Sequence, residues 1–394
     1  MTDLWSSWIG GELRALDAAG LARRHLVAAS TDGRTVRVSG RELLLAAGNG
    51  YLGLAHDPDV RDAAREALAA CGTSALASRL VAGDHPLHHH LEQECADLVG
   101  MPCALVVGSG YLANLGLLQV LARDATVVSD QLNHASIVDG CRIAGPRAVR
   151  RYRHADADAA TAELAAAAPS DRTLLVSESL FSVDGDLAPL AALCRAAVGG
   201  GALLVVDEAH ALGVAGPTGR GGLELANRLG AADVVVGTFG KALGSYGAFV
   251  ACSPELRALL VTRLRTGIYS TALPPAVLAA ALAAVRKLRR TPELVQRLHE
   301  RAEQLRGALQ AAGYRLLGES WSPVVPLVVG DNEATLAAAL RLREAGVLVG
   351  AMRPPTVPPG TARLRLSVSA AHSPEDVARI AEAVRRCVPQ EHPR

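Results

Sequence analysis

The stretch Ala202-Leu-Leu-Val-Val-Asp-Glu-Ala-His210 is a run of apolar residues followed at once by a polar cluster. Such a run indicates a strand that is buried on both faces and whose carboxyl end opens into a site. Further along, Val234-Val-Val-Gly-Thr-Phe-Gly-Lys241 repeats the arrangement, with an apolar strand that leads into a lysine among small residues. We therefore expect Asp207 and Lys241 to lie at the ends of neighbouring buried strands.

Asp207 and Lys241 together suggest a particular chemistry. A lysine that is shielded from water loses pKa and becomes an amine nucleophile or base. An aspartate at a neighbouring strand end can hold a cationic ring nitrogen. These are the groups that a protein contributes to pyridoxal 5'-phosphate (PLP) chemistry, where the lysine forms a Schiff base and the aspartate keeps the pyridinium protonated. Taken alone, such a lysine is more often an ordinary surface residue, and such an aspartate is more often part of a turn at a strand end.

The bulk composition limits the function classes. The 394 residues exceed the usual size of one hydrophobic core, so two domains are expected. A net charge of +1, with acids and bases interspersed, favours neither a nucleic acid nor a membrane surface as a partner. The seven cysteines are scattered without a C-x-x-C pair, which indicates reduced thiols. With no signal-peptide pattern at the N-terminus, we expect a cytoplasmic protein.

The order of apolar runs predicts an α/β fold. After an N-terminal helix over 3–28 and a glycine-rich loop near residue 50, strands and helices alternate as far as residue 275, which indicates a mostly parallel sheet. A long helix then leads into a smaller α+β pattern. The predicted domains are an N-terminal helix and arm (1–48), a large PLP-binding domain (49–275) and a small C-terminal domain (276–394).

A glycine turn after one strand predicts a phosphate site. Gly108-Ser-Gly110 follows the apolar run that ends at Val107 and opens a helix, whose N-terminal N–H groups can hold phosphate. The same residues fit the dinucleotide fingerprint G-x-G-x-x-A, and Asp130 lies near its acidic position. An NAD-dependent oxidoreductase is therefore the alternative from a different class, although it leaves the Asp207 and Lys241 pair unexplained.

Two further strand ends carry candidate groups. The ring of His134 could stack on a cofactor, and Ser182 could bond a phenolic oxygen, although each residue is also typical of an ordinary loop. The run His88-His89-His90 looks like a metal tract. Adjacent helical residues point in different directions, however, and no other ligand spacing completes a site, so no metal is expected.

Four motifs carry a resemblance to a known family. They are Ser-Gly-Tyr-Leu-Ala-Asn at 109–114, Asn-His-Ala-Ser at 133–136, Asp-Glu-Ala-His at 207–210 and Thr-Phe-Gly-Lys-Ala-Leu-Gly at 238–244. Together they resemble the α-oxoamine synthases, which are PLP-dependent acyltransferases of fold type I. This likeness implies that Lys241 binds PLP covalently and acts as a base, with His134 and Asp207 as the other catalytic residues. It implies that the cofactor is held by Gly110, Tyr111, His134, Ser182, Asp207, His210, Thr238, Lys241 and, from a partner subunit, Thr271.

The same resemblance implies a reaction and its substrates. The segment Arg353–His372 is most similar to the family member of biotin biosynthesis, which condenses L-alanine with a pimeloyl thioester and releases CO₂. It assigns the amino acid carboxylate to Asn49 and Arg365, and the acyl substrate to Thr356 and Arg23. A homodimer with a shared active site is expected. Whether the acyl carrier is CoA or acyl carrier protein stays open.

The chain departs from the family pattern in four places. Gly50 replaces an acidic residue, 72–78 contains fewer glycines, Ala211 follows the histidine, and Ala22 stands where an arginine is expected. These changes concern the acyl substrate more than the cofactor. Another α-oxoamine synthase, such as a glycine C-acetyltransferase, therefore stays an alternative, as does a non-catalytic protein that keeps the fold.

Overall fold

A computed structural model describes residues 2–168 and 170–389 of the chain. The strands in these ranges are β1 (Ala28–Ser30), β2 (Thr35–Val38), β3 (Arg41–Ala46), β4 (Cys103–Val107), β5 (Thr126–Asp130), β6 (Ala148–Tyr152), β7 (Thr173–Glu178), β8 (Leu203–Asp207), β9 (Val234–Thr238), β10 (Ala248–Cys252), β11 (Val324–Gly330), β12 (Val347–Met352) and β13 (Ala362–Ser367). They form two sheets.

The helices surround these sheets. They are α1 (Asp3–Ala18), α2 (Pro58–Cys71), α3 (Pro86–Val99), α4 (Gly110–Leu121), α5 (Ala135–Ala144), α6 (Ala157–Ala165), α7 (Leu190–Gly199), α8 (Gly222–Leu225), α9 (Pro254–Arg263), α10 (Arg265–Ile268), α11 (Pro275–Arg290), α12 (Glu293–Ala311), α13 (Asn332–Glu344) and α14 (Pro374–Cys387). A π-helical turn, Arg79–Gly83, precedes α3.

The larger sheet has seven strands in the order β4-β10-β9-β8-β7-β5-β6. Only β10 runs antiparallel to its neighbours, so the predicted mostly parallel sheet is confirmed. Alternate residues of one strand pack in the hydrophobic cores on opposite faces of the sheet. Val206 packs on one face and Val205 on the other. Burial on both faces is the physical reason why these strands read as continuous apolar runs.

The smaller sheet has six strands in the order β1-β2-β3-β12-β13-β11. This sheet contains strands from both ends of the chain, because β3 pairs in parallel with β12, with Leu44 opposite Val347. The N-terminal segment thus belongs to the same sheet as the C-terminal strands. The domain boundaries at residues 48 and 275 stay predictions. The pairing of β3 with β12 places part of the predicted segment 1–48 in the same sheet as the C-terminal strands.

The predicted N-terminal helix is wrong beyond Ala18. Gly20 adopts a left-handed backbone angle of φ 65°, which ends helices, and β1 begins at Ala28. Three strands, β1, β3 and β6, were not predicted from the sequence. The polar residues of β6, Arg150 and Arg151, hide its apolar pattern, as expected for an edge strand.

All seven cysteines are unpaired in the structure, in agreement with the expected reduced thiols. Within residues 2–168 and 170–389, no helix is long and apolar enough to cross a membrane.

Candidate active site

The candidate site lies where three parallel strands end side by side. Glu178 of β7 is the register partner of Asp207 of β8, and Asp207 is in turn the partner of Val236 of β9. The chain leaves β9 at Thr238 and places Lys241 over the same edge. A pocket of about 250 Å³ opens there, and it is lined by Asn49, Gly110, Tyr111, Asn114, His134, Ser136, Glu178, Asp207, Ala209, His210, Thr238, Gly240 and Lys241.

Asp207 is buried and held in one orientation. Its Oδ2 accepts a hydrogen bond of 2.7 Å from Asn114 Nδ2, and its Oδ1 accepts one of 2.9 Å from the N–H of Ala209. Asn114 also donates to Ser136 Oγ at 3.0 Å, which ties α4 to the start of α5. Two neutral donors orient the carboxylate without neutralising it, so it can still hold a cationic group in the pocket.

The amine of Lys241 is available for chemistry. It makes no hydrogen bond or ion pair within the described residues, although its side chain lines the pocket. Burial lowers the pKa of Lys241, and the positive charge of Arg365 adds to this effect against the opposing charges of Asp207 and Glu178. A lowered pKa raises the fraction of neutral amine at neutral pH, which is the form that acts as nucleophile and base.

The N-terminus of α4 faces the pocket with unused N–H groups. Ser109 caps the helix by accepting from the N–H of Leu112 at 3.2 Å, while Gly110 and Tyr111 of the first turn line the pocket. The first turn of a helix attracts anions through these N–H groups. Thr238 lies beside Gly110, but its hydroxyl donates to the carbonyl of Gly247 at 3.0 Å, so it is partly engaged.

His134 enters the pocket from the N-cap of α5. Its Nδ1 accepts from the N–H of Ser136 at 3.2 Å and contacts the Ser136 hydroxyl at 2.7 Å, which fixes the ring. The ring of Tyr111 meets it edge-on at 6.3 Å between centroids. Burial lowers the pKa of His134, with Lys241 acting in the same direction, so the neutral ring is favoured. A neutral, oriented ring suits stacking on an aromatic cofactor.

A second cluster lies beside Lys241 and joins the two sheets. Arg365 Nη2, from β13, donates to Asn49 Oδ1 at 3.1 Å and to Tyr51 Oη at 3.0 Å. Tyr51 Oη also lies 2.9 Å from His210 Nδ1. Burial lowers the pKa of His210 well below its ordinary value, and Lys241 and Arg365 add to this, so His210 is neutral. The cluster therefore carries one net positive charge next to the pocket.

Besides Ser136, Ala209 and Gly240 of the pocket lining, three residues of the site were not predicted from the sequence as site residues. Tyr51 is fully buried between His210 and Arg365, and Asn114 orients Asp207. The third, Glu178, is buried beside Asp207, and its Oε1 has no hydrogen-bond partner within the described residues. Burial and the charge of Asp207 raise the pKa of Glu178 to about 8. The polar cluster Ser177-Glu178-Ser179 directly after an apolar strand was a signal for it.

Four predicted residues lie away from this pocket. Ser182 contributes its backbone, since its carbonyl accepts from Arg365 Nε at 2.7 Å. Arg23, Thr271 and Thr356 are exposed and do not line the pocket of the single chain. A second chain or a bound substrate would be needed to bring them to the site, so their roles stay predictions.

The dinucleotide alternative is not supported at its acidic position. Asp130 is buried, and its carboxylate is used by protein groups: Oδ1 accepts from the N–H of Leu132 at 2.8 Å and Oδ2 from the N–H of Ala155 at 2.8 Å. His154 Nδ1 lies 3.0 Å from Oδ1. A carboxylate with these partners is not free to bind a ribose.

Two side chains of the histidine run at 88–90 are engaged by other groups of the protein. His88 is buried and its Nδ1 accepts from the N–H of His85 in the helix cap, while His89 contacts Asp84. No group of three or more His, Cys, Asp or Glu side chains suited to a metal occurs within 2–168 and 170–389.

The groups of the pocket fit PLP. A buried amine of lowered pKa, an oriented carboxylate, a fixed imidazole and a helix N-terminus suit its aldehyde, ring nitrogen, ring face and phosphate respectively. In particular, the Lys241 amine has no hydrogen-bond partner within the described residues, and the carboxylate of Asp207 accepts only from the neutral donors Asn114 and Ala209. The site and the fold together define a PLP-dependent enzyme of fold type I.

Comparisons with known proteins identify the family. Residues 42–384 match the family model described as aminotransferase class I and II. The 8-amino-7-oxononanoate synthase of Methylococcus capsulatus is 47% identical over 96% of this chain and 97% of its own length. That of Geobacter sulfurreducens is 46% identical over 96% and 97%. The chain belongs to the 8-amino-7-oxononanoate synthase family within this aminotransferase class.

Solved structures agree on the fold. The serine palmitoyltransferase of S. paucimobilis, in a form with bound PLP and myriocin, has a TM-score of 0.92 and 34% identity over 98% of both chains. An 8-amino-7-oxononanoate synthase of Francisella tularensis has a TM-score of 0.73 over 87% of this chain and 97% of its own, with 24% identity. These likenesses confirm fold type I.

Proposed function

We propose that this chain condenses L-alanine with a pimeloyl thioester to give 8-amino-7-oxononanoate, CO₂ and the free thiol. A carbon–carbon bond forms between the α-carbon of alanine and the thioester carbonyl carbon, the carbon–sulfur bond breaks, and the alanine carboxylate leaves as CO₂. The names of relatives with 47% and 46% identity support this choice of substrates. The observation that carries it is the free amine of Lys241, which lines one pocket with Asp207 and whose pKa is influenced by the charge of Arg365.

Arg365 and Asn49 would bind the alanine carboxylate. Arg365 is buried, and Ser182, Asn49 and Tyr51 orient its guanidinium at 2.7, 3.1 and 3.0 Å. All three are neutral acceptors, so the guanidinium has no carboxylate partner within the described residues and keeps its full charge. An arginine held in this way can bind a carboxylate close to Lys241.

Lys241 would move the proton of the reaction. Its lowered pKa supplies neutral amine, which takes the proton from the α-carbon of alanine. Bound PLP supplies the electron sink that stabilises negative charge at that carbon. The carboxylate of Asp207, oriented by its two hydrogen bonds, would hold the cationic ring nitrogen of the cofactor.

The remaining predicted residues have roles that depend on partners. His134, His210 and Thr238 would contact the cofactor ring and phosphate, with Gly110 and Tyr111 at the helix N-terminus, whereas Ser182 orients Arg365 through its carbonyl. Thr271 would reach the site of a partner subunit in a homodimer, and Arg23 and Thr356 would contact the acyl chain. Exposed apolar side chains around Thr271, such as Tyr269 and Val81, support a subunit contact there. The acyl group would come from CoA or from acyl carrier protein.

A serine-using acyltransferase is the second candidate. It is favoured by the TM-score of 0.92 to serine palmitoyltransferase, against 0.73 for the synthase of Francisella tularensis. Its relationship in sequence is weaker, at 34% identity compared with 47% for the synthase of Methylococcus capsulatus. The two candidates share the cofactor and the chemistry, and differ in the amino acid and the acyl chain.

One substrate matrix tests the proposal. The protein, loaded with PLP, is assayed with alanine, glycine and serine, each against pimeloyl, acetyl and palmitoyl thioesters, and products are identified by mass spectrometry. We expect 8-amino-7-oxononanoate from alanine and a pimeloyl thioester as the fastest reaction. Fastest turnover of serine with the palmitoyl thioester would establish the second candidate, and no product from alanine and pimeloyl thioester would refute the first.

A further inference from the structure

His154 bridges two carboxylates next to the site. It lies in the turn after β6, where its Nδ1 is 3.0 Å from Asp130 Oδ1 and its Nε2 is 2.7 Å from Asp186 Oδ2. The ring also packs edge-on against Phe181, at 4.3 Å between centroids. Because both ring nitrogens face carboxylate oxygens, both must donate, and this requires the imidazolium.

The surroundings of His154 keep it charged. Burial lowers its pKa, but the hydrogen bonds and charges of Asp130 and Asp186 outweigh burial and raise the pKa of His154 to about 10. The neighbouring Arg153 and Asp156 pair with each other on the exposed side of the turn. Asp186 Oδ1 has no partner within the described residues, so His154 alone balances the charge of Asp186.

The Asp130 side of the bridge holds the loop that carries His134. Asp130 ends β5 and accepts from the N–H groups of Leu132 and Ala155, both at 2.8 Å. Its backbone carbonyl accepts from the N–H of Asn133 at 3.3 Å, and His134 follows as the cap of α5. The position of the His134 ring in the pocket therefore depends on Asp130.

The Asp186 side holds the loop that orients Arg365. The N–H of Phe181 donates to the carbonyl of Asp186 at 2.9 Å and closes this loop. Within it, the carbonyl of Ser182 accepts from Arg365 Nε at 2.7 Å, and Asp184 forms an ion pair with Arg363. A displacement of the loop would move the acceptor that aligns Arg365.

We propose that His154 is a positioning residue that fixes the Asp130 loop and the Asp186 loop relative to each other and so keeps Arg365 aligned for the substrate carboxylate. This inference rests on the proposed function, because it assigns the carboxylate of the amino acid to Arg365. It places one imidazolium between the loop on the cofactor side of the pocket and the loop on the carboxylate side. His154 itself lines no part of the pocket and takes no part in bond making.

The test measures amino acid binding without turnover. Wild type and variants are loaded with PLP, and the dissociation constant of L-alanine is read from the change in cofactor absorbance in the absence of thioester. His154→Gln can donate to only one carboxylate at a time. Asp186→Asn removes the negative charge of the carboxylate that faces Nε2 of His154. Glu94→Gln is the matched control, because Glu94 bridges Arg286 and Arg289 at similar burial on the α3–α11 surface.

We expect the alanine dissociation constant to rise about tenfold in His154→Gln and in Asp186→Asn, the scale of one charge-assisted hydrogen bond. The double variant should lose no more than either single variant, since both break one bridge. In steady-state assays the KM for alanine should rise while the KM for the thioester is unchanged. Glu94→Gln should bind alanine like wild type.

Unchanged alanine affinity in His154→Gln, or an equal loss in Glu94→Gln, would overturn the inference. If His154→Gln fails to fold, the alanine dissociation constant of Asp186→Asn alone decides whether the inference holds. A wild-type protein that does not bind alanine refutes the proposed function instead. In that outcome, the same titration with serine or glycine decides whether His154 positions Arg365.

Discussion

Lys241 combines a free amine with a shielded position. The chain contains two lysines, and the other, Lys287, lies on the surface against Asp57 and Asp59. Since burial is the largest cause of the lowered pKa of Lys241, the difference between the two amines comes from the pocket and not from the residue type. Surface ion pairs on Lys287 raise its pKa instead.

This difference predicts where the cofactor binds. After borohydride reduction of the PLP-loaded protein, peptide mass spectrometry should find the cofactor on Lys241. Lys241→Arg keeps a long basic side chain but has no amine to form a Schiff base, so it should trap no cofactor, and turnover should fall about a thousandfold or more. The control Lys287→Arg should trap PLP like wild type. A trapped cofactor on Lys287 alone, or full activity in Lys241→Arg, would contradict the assignment.

Glu178 predicts a pH-dependent stability. Its pKa is raised from 4.5 to about 8 by burial and by Asp207, so the folded protein holds this proton more tightly than the unfolded chain. Its contribution to stability is therefore complete below pH 4.5 and is lost as the pH rises towards 8. In Glu178→Gln without cofactor, the unfolding temperature should exceed that of wild type at pH 8 and approach it near pH 5. An equal offset at every pH would exclude titration of Glu178 as the cause.

At the scale of elements, the turn after β9 determines where Lys241 lies. The N–H of Gly244 donates to the carbonyl of Lys241 at 2.9 Å, and Gly244 has a φ of 63°. A Cβ at Gly244 would collide with the backbone of Leu54 and Ala55. This close approach of two backbones explains why the residue after the Lys-Ala-Leu sequence is glycine.

Two glycine substitutions separate the collision from the backbone angle. Gly244→Ala and Gly20→Ala both place a Cβ at φ near 65°, but a Cβ at Gly20 has nothing within 4 Å. We expect Gly20→Ala to cost about 1 kcal/mol from its backbone angle alone. Gly244→Ala should lose more stability and also bind less PLP, as measured by thermal unfolding and by bound-cofactor absorbance. Equal effects of the two variants would show that the contact with Ala55 is unimportant.

At the scale of the whole molecule, one face of the chain carries exposed apolar side chains. Leu76, just before the π-helical turn, is 90% exposed, Val81 within the turn is 80% exposed, and Tyr269 is 74% exposed. The carbonyl of Ala77 accepts from the N–H of Ala272 at 3.0 Å, so these segments form one surface next to Thr271. Apolar patches of this kind are typical of subunit contacts.

This surface predicts an effect of charge on assembly. Val81→Glu should convert a dimer to monomers in analytical ultracentrifugation and lower PLP-dependent activity, because a carboxylate in a subunit contact is costly to desolvate. Val198→Glu is the control, since Val198 is 83% exposed at the end of α7. A monomeric wild type, or equal dissociation in both variants, would contradict the predicted homodimer.

Much of the large sheet could be predicted from the sequence because strands buried on both faces are apolar throughout. The runs before Asp207 and Lys241 were recognisable for this reason, and the polar residue after each run marked the site edge. The edge strand β6 and the strand β3 were not, because edge and solvent-facing positions admit charged residues. The end of α1 was missed because a left-handed glycine is a local backbone choice that periodicity does not show.

The sequence by itself determined the cofactor chemistry. A lysine and an aspartate at the ends of strands can be recognised from local apolar runs and from the order of the strands. The tertiary structure decided which side chains support them. Tyr51 meets Arg365 across 314 residues, and Asn114 meets Asp207 across 93. Such contacts arise because β3 and β13 join one sheet and α4 packs beside β9. Sequence separation of this size carries no local signal, so these partners appear only once the chain is folded.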